Sequence, residues 1–401
     1  MRKALAALAG CLVMLTGCAQ ATVSVTPAEN SPTNIKTIAP TPAASGSGSA
    51  TPASTTSGSA SLPAGGITLT VSGSLLWQEQ LWLGAKLDAG TSGKEFDFAP
   101  TLSPIKPIVS GADLSVCQQD VPFAPNGGPY KGFPTYSVPP LIASALAETG
   151  FEACTTGSDH ANDAGYGGIT RTLDTFRAVG IKTTGTFASA ADRRRPLILN
   201  ARGVKVAVVS ATATTGSALA KGRDYSVAML DANDLIARAK AARQAGAQIV
   251  LAAMHAGDDT VSLPTEQQKT VAAKLANSPY IDLVYGFGAQ VVQPWEQING
   301  KWVAYGLGNL AAQPARSQPA GFEGVIARFT FTPRVEGGYQ VSKAEYIPTL
   351  TTNYSPGAAP RVLPILASLN AGVGDQWRLK AAVERTRKAV HELGAQGLFE
   401  S

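Results

Sequence analysis

The chain has 401 residues, 44% of them hydrophobic and 15% charged, with a formal net charge of +5. That length holds one large α/β domain or two smaller ones with a sizeable core. Part of the basic excess is Arg2 and Lys3, and no basic stripe interleaved with aromatics follows, which argues against nucleic acid as a partner.

Arg2 and Lys3 open a targeting segment, residues 1–17, whose apolar run 4–15 is too short to span a bilayer and reads as a secretory signal. It ends in Leu15-Thr-Gly-Cys18, which resembles the lipobox of bacterial lipoproteins. The resemblance implies cleavage before Cys18, acylation of Cys18 and retention on the outer face of a membrane. The alternative is a soluble signal peptide with an incidental cysteine. Over residues 18–63 Ala, Ser, Thr, Pro and Gly dominate and charges nearly vanish, so a disordered tether is expected.

The domain opens with an alternating strand, 67–76, that passes through Gly73-Ser74. Residues 111–120 read as a strand ending in polar side chains. Pro139 starts a helix carrying Leu141, Ile142, Ala145 and Leu146, closed by Gly150. A short strand follows at 150–154, then Ile169, Leu173, Phe176 and Val179 recur at helical spacing up to Gly180. A hairpin over 197–209 turns between Asn200 and Gly203. Asp231 caps a helix reaching Gly246, with Asp234 in capping-box position. Residues 248–254 are nearly continuously apolar, as buried parallel strands are, and deliver His255-Ala-Gly-Asp-Asp259. A helix (265–277) and a strand (281–285) lead to Gly286-Phe-Gly-Ala-Gln290, and Asn299-Gly300 turns a second hairpin toward Tyr305-Gly-Leu-Gly-Asn309. Strands at 324–331 and 338–342 come next, and 348–364 reads as irregular. From about 362 the pattern is helical, with Trp377, Leu379, Ala382, Val383, Val390 and Leu393 on apolar faces.

The stretch Cys154-Thr-Thr-Gly-Ser-Asp-His-Ala-Asn-Asp-Ala-Gly165 places Asp159, His160 and Asp163 between a strand's C-terminal end and a helix start, where open α/β sheets bind ligands. Its plain reading is a helix-start loop in which Asp and Ser act as caps. Yet Ser74, Asp120, His255, Gln290 and Asn309 also follow strands, so all these groups are expected on one edge of the sheet. Dinuclear metallohydrolases gather their ligands from separate loops in this way.

The order of these motifs over residues 67–310 resembles the capsule-synthesis CapA family, also called PgsA-like, of the calcineurin-like metallophosphoesterase superfamily. The family's Gly-Asp corresponds to Gly73-Ser74, its Ala-Asn-Leu-Glu to Cys117-Gln-Gln-Asp120, and its Asn-Asn-His-Ala-x-Asp-x-Gly to Ser158-Asp-His-Ala-Asn-Asp-Ala-Gly165. Its His-Trp-Gly corresponds to His255-Ala-Gly257, with Pro264 and Gln267 beyond. Its Gly-His-His-Pro-His-Val-x-Gln-Pro corresponds to Gly286-Phe-Gly-Ala-Gln-Val-Val-Gln-Pro294, and its Tyr-Ser-Leu-Gly-Asn-Phe to Tyr305-Gly-Leu-Gly-Asn-Leu310. The resemblance implies an α/β fold, the metallophosphoesterase-like layered α/β/β/α sandwich, at 64–350, preceded by the tether and followed by a C-terminal helical extension at 351–401.

It also implies a two-metal site, from which this chain departs. Ser74 replaces a carboxylate ligand, Ser158-Asp159 replaces the Asn pair, and Phe287, Gly288 and Gln290 replace three histidines. Phe and Gly cannot ligate a metal, and a glutamine amide is a poor donor beside imidazole. His160, His255, Asp120 and Asp159 remain as a metal set, so the expectation is no cofactor or one divalent zinc or manganese ion. The candidate catalytic residues are His160, Asp163 and His255, with Asp159 or Asp163 orienting His160 as a base. Ser74, Ser158, Gln290 and Asn309 hold family-site positions.

Cys117 and Cys154 end strands joined by one crossover helix, so a disulfide is expected in an exterior compartment, against two buried free thiols. Two functions fit. The first is a non-catalytic envelope lipoprotein, related to capsule or poly-γ-glutamate synthesis, that binds the polymer or a membrane assembly protein. The second is a surface hydrolase with one metal, acting on a phosphoester or amide of envelope polymer. A fold does not choose between them.

Overall fold

The computed structural model describes residues 66–401. The targeting segment, Cys18 and the tether lie outside the described residues. Two sheets are built from β1 (Ile67–Leu75), β2 (Leu114–Gln119), β3 (Ala153–Thr155), β4 (Lys182–Thr184), β5 (Leu197–Ala201), β6 (Val204–Thr212), β7 (Ile249–Ala256), β8 (Leu283–Gly288), β9 (Trp295–Ile298), β10 (Lys301–Ala304), β11 (Asn309–Ala311), β12 (Glu323–Pro333), β13 (Tyr339–Thr351), β14 (Val362–Pro364) and β15 (Leu398–Glu400). The first runs β14-β13-β12-β1-β2-β3-β4, with β11 beside β1 and β15 beside β13; the second runs β5-β6-β7-β8-β10-β9.

Alternation along each strand decides what faces what. Ile67, Leu69 and Val71 point inward with Val206, Val208, Ile249, Leu251 and Leu283, and this shared layer joins the sheets. Trp295 sits in it, stacked on Phe329 with ring centroids 5.6 Å apart. Val250, Ala252 and Met254 face the other way, onto Leu235, Ala239 and Leu275 of the helices Ala232–Gln244 and Glu266–Asn277. That two-sided burial is why β7 reads as an unbroken apolar run. The first sheet's outer face packs on Leu81, Leu102, Ile142, Leu146 and Phe176. The result is helices, sheet, sheet, helices, as expected, so the strand ends gather at one end of two sheets rather than along one.

The helix Glu79–Ala89 was not legible in the sequence, and neither were β4, β11 and β15. β13 runs unbroken through Pro348 to Thr351, where an irregular segment was expected, and β14 occupies 362–364, so helix begins at Ile365. On the last helix, Gln376–His391, Leu379, Ala382, Val383 and Val390 are buried, but Trp377 is 79% exposed and Leu393, just beyond it, 41%. Asp231 does cap its helix, while Asp234 takes no reciprocal capping-box bond and pairs with Arg193 at 3.2 Å. The reciprocal box is made by Thr265 and Gln268. Among the described residues no helix is long and apolar enough to cross a membrane.

Cys117 and Cys154 are directly opposed on β2 and β3, their Cα atoms 4.4 Å apart and their sulfurs bonded. At the other end of the first sheet, Glu345 accepts from Arg328 at 2.8 and 3.1 Å, from Lys343 at 3.0 Å and from the Ser401 hydroxyl at 2.6 Å. The Arg328 hydrogen bonds outweigh burial and hold its carboxyl down at about 2. A carboxylate whose folded pKa is depressed contributes stability above its unfolded pKa and loses it as pH falls toward the folded value. Denaturant unfolding of Glu345→Gln against the parent chain should therefore show a constant deficit above about pH 5 that closes toward pH 2. A deficit independent of pH would contradict this.

Candidate functional site

Gly73 lets β1 and the loop before β11 touch, since a Cβ there would collide with the Gly308 carbonyl oxygen. Ser74 N donates to that oxygen at 2.9 Å, which sets the end of β1 beside Asn309. The next strand ends in Gln118, Gln119 and Asp120, all at most 2% exposed. Gln118 Nε2 donates to Asp120 Oδ1 at 2.7 Å and lies 3.3 Å from the Gly157 carbonyl oxygen, and the Ser158 hydroxyl donates to the Asp120 carbonyl oxygen. These bonds tie the loop after β3 to the end of β2.

In that loop His160 and Asp163 form a dyad. His160 Nδ1 lies 2.8 Å from Asp163 Oδ2, and the same oxygen accepts from Tyr136 N at 2.7 Å. The Tyr136 ring stands edge-on to the imidazole, centroids 4.7 Å apart. Holding the proton on Nδ1 leaves Nε2 as the free nitrogen, 3.7 Å from Asp159 Oδ2. Burial opposes charging of His160, but the Asp163 hydrogen bond and the charges of Asp159, Asp163 and Asp120 outweigh it and raise its pKa. Burial pushes the Tyr136 hydroxyl up to about 12, so it stays protonated.

β7 brings His255 across from the second sheet. Thr212 donates its hydroxyl proton to the Thr214 carbonyl oxygen at 2.7 Å and stands 3.4 Å from His255 Nδ1, where it can only accept. His255 Nε2 then faces Asp120 Oδ1 at 3.7 Å and Asp159 Oδ1 at 3.6 Å. Those gaps are too long for hydrogen bonds. They suit donors around one cation: two ligand atoms about 2.0–2.2 Å from a tetrahedral zinc stand roughly 3.3–3.6 Å apart. Burial raises the Asp120 pKa, the His255 charge works against that, and the Asp159 charge adds to it.

As placed, no three His, Cys, Asp or Glu side chains among the described residues close into a coordinating group. Asp159, its side chain 31% exposed against 3% for the side chain of Asp120, is the one with room to turn. With Asp159 turned inward, His255, Asp120 and Asp159 would offer three donors to one cation. Ser74, at a family ligand position, hydrogen-bonds Asp120, and Phe287, at another, is buried in the layer between the sheets.

Asp259 was missed, although it ends the His255–Asp259 run. Burial and the Asp159 charge raise its pKa, and its side chain hydrogen-bonds Gln290, whose backbone has φ +58°. Asn309 turns its amide away, donating to the carbonyl oxygens of Gln290 at 3.1 Å and Gly321 at 2.8 Å. Gln268, not the exposed Gln267, makes the buried contact beyond Pro264, donating to Gln293 at 2.7 Å.

Residues 68–314 match the family model described as bacterial capsule synthesis protein PGA_cap. The chain is 26% identical over 167 residues to the PGA biosynthesis protein CapA of Bacillus subtilis (strain 168), covering 41% of this chain and 43% of that protein. It is 24% identical over 170 residues to the capsule biosynthesis protein CapA of Bacillus anthracis, covering 41% of each. The match thus spans less than half the length of these relatives. The crystal structure of the calcineurin-like phosphoesterase YfkN from Bacillus subtilis is similar at a TM-score of 0.45 and 12% identity, over 82% of this chain and 99% of that one.

Proposed function

Because the chain belongs to the bacterial capsule synthesis family PGA_cap, we propose that it acts on a cell-envelope polymer as a one-metal hydrolase of phosphoester or amide bonds. The observation that carries this reading is His255 Nε2 set against Asp120 and Asp159 at 3.6–3.7 Å with no hydrogen bond between them. Four carboxylates (Asp120, Asp159, Asp163, Asp259) against two imidazoles also make a site that repels a polyanion unless a cation offsets them.

Asp120, Asp159 and His255 would hold one zinc or manganese ion, which supplies Lewis-acid polarisation of a phosphoryl or carbonyl oxygen. His160, its Nδ1 proton shared with Asp163, presents Nε2 to take or give a proton at the bond being broken. Asp163 positions His160, and Tyr136 N holds Asp163. The first 18 residues support a lipid anchor at Cys18 on the outer membrane face, with polymer or membrane assembly proteins as partners.

The second reading is binding of the polymer or an assembly partner without turnover, with the metal chemistry lost. It is favoured by Ser74, Phe287, Gly288 and Gln290 at positions where the family resemblance supplies ligands. To separate the two, the purified full chain is incubated with zinc or manganese, analysed for metal by elemental mass spectrometry, and assayed on an aryl phosphodiester and a γ-glutamyl amide. The hydrolase reading expects about one metal per chain, and a His160→Gln variant that keeps the metal but loses about 10²–10⁴ in kcat. Bound metal without turnover, or no bound metal at all, overturns the hydrolase reading and leaves the binding reading.

A further inference from the structure

One residue beyond Asp259 and one beyond Gln290 the chain enters a second feature. Thr260, Leu263, Val291 and Val292 wall a half-open cleft of about 390 Å³, closed on the far side by the helix Gln376–His391 through Thr386 and Ala389. Its wall is preformed: Gln293 Nε2 donates to the carbonyl oxygens of Val261 at 3.0 Å and Leu263 at 3.1 Å, and Thr260 N donates to the Ala289 carbonyl oxygen at 2.8 Å. Leu263 is nonetheless 49% exposed, which leaves an aliphatic side chain facing open space beside the site.

Thr386 is 1% exposed and its hydroxyl oxygen has no hydrogen-bond partner, although it lines this cleft. A buried hydroxyl without a partner is destabilising. The charged groups offer little net pull: Arg385 is committed to Glu323, and Lys388 and Glu392 bring opposite charges. The lining includes no aromatic ring on which a sugar could stack. Apolar atoms, led by Leu263, Val291, Val292, Ala320 and Ala389, supply most of the exposed lining among several polar and charged residues, and clefts of this size and character are typical of small-molecule sites.

We propose that this cleft takes an aliphatic chain, acyl or isoprenoid, carried by the molecule whose polar end enters the Asp259–Gln290 side of the site. At about 30 Å³ for each water-sized group, the cleft holds roughly a dozen carbons. For the polar end the inference rests on the hydrolase reading, whereas binding of the chain does not.

The test is calorimetric binding of straight-chain alkyl glucosides, whose uncharged head group the carboxylates do not repel, from butyl to hexadecyl and below their micelle concentrations, to the full chain with a chelator present. Affinity should rise about fourfold per methylene and level off near twelve carbons. Leu263→Glu, on an exposed loop, and Ala389→Phe, which fills the cleft, should each weaken decyl glucoside binding at least tenfold. Affinity independent of chain length overturns the proposal. So does affinity that keeps rising past twelve carbons and ignores both substitutions, which would be surface partitioning. Because the chelator removes any cation, a negative result here leaves the hydrolase reading standing, and failure of metal binding leaves the chain site standing.

Discussion

A His255→Ala chain is expected to lose at least about a hundredfold in zinc or manganese affinity, and its turnover with it. Removing a hydrogen-bond partner of a metal-ligating histidine already costs about 10–100-fold, and loss of the ligand itself costs no less. His255 is 5% exposed and contributes the nitrogen that faces both Asp120 and Asp159. Without it, two carboxylates confront each other with one neutral donor fewer. The fold should survive, because the imidazole lies at the end of β7 beyond the packed layer between the sheets. His391→Ala on the C-terminal helix serves as the control and should leave metal content unchanged. Titration followed by elemental analysis reads both variants; equal metal in His255→Ala and the parent chain would remove the basis of the proposed site.

Opening the Cys117–Cys154 bond is expected to cost roughly 3–4 kcal/mol of stability, for a closed loop with a sequence separation of 37. Both cysteines are fully buried in the apolar layer outside the first sheet, so the double Cys→Ala variant is the appropriate probe. Serine would add two buried hydroxyls to the cost. Denaturant unfolding with and without reductant should show the parent chain falling to the level of the double variant. Metal affinity should change far less. The loops carrying Asp120 and Asp159 are also joined by Gln118 to Gly157 and by Ser158 to the Asp120 carbonyl oxygen, and neither bond involves sulfur. A stability difference below about 1 kcal/mol, or Cys117 and Cys154 thiols that titrate in the denatured chain without reductant, would refute the cross-link's role.

Much of the fold was legible because local signals agree with the tertiary result. The apolar run before His255, short and rich in branched residues, reads as a strand buried on both faces. Gly150, at φ +109°, closes its helix as a left-handed C-terminal residue. Asn299-Gly300 turns the hairpin of β9 and β10. The candidate site was legible as a set of polar residues after strands, and Asp120, Asp159, His160, Asp163 and His255 do lie together.

What the sequence by itself determined is which segments become strands and helices, and which chemical groups end them, since periodicity, caps and turn residues act within a few positions. Partners across space belong to the tertiary structure. β13 continues through Pro348 because that residue falls between the stretch paired with β15 (344–346) and the stretch paired with β14 (349–351), where its missing N–H breaks no ladder. Trp377 has the hydrophobicity of a core residue, yet the helix docks by the face that carries Leu379 and Val383. Asp259 joins the site because its loop folds back on Gln290, 31 positions later. His255 meets Asp120 because two sheets stack and bring the ends of β2 and β7 to one end of the sandwich. That contact depends on long-range packing, which no window along the chain contains.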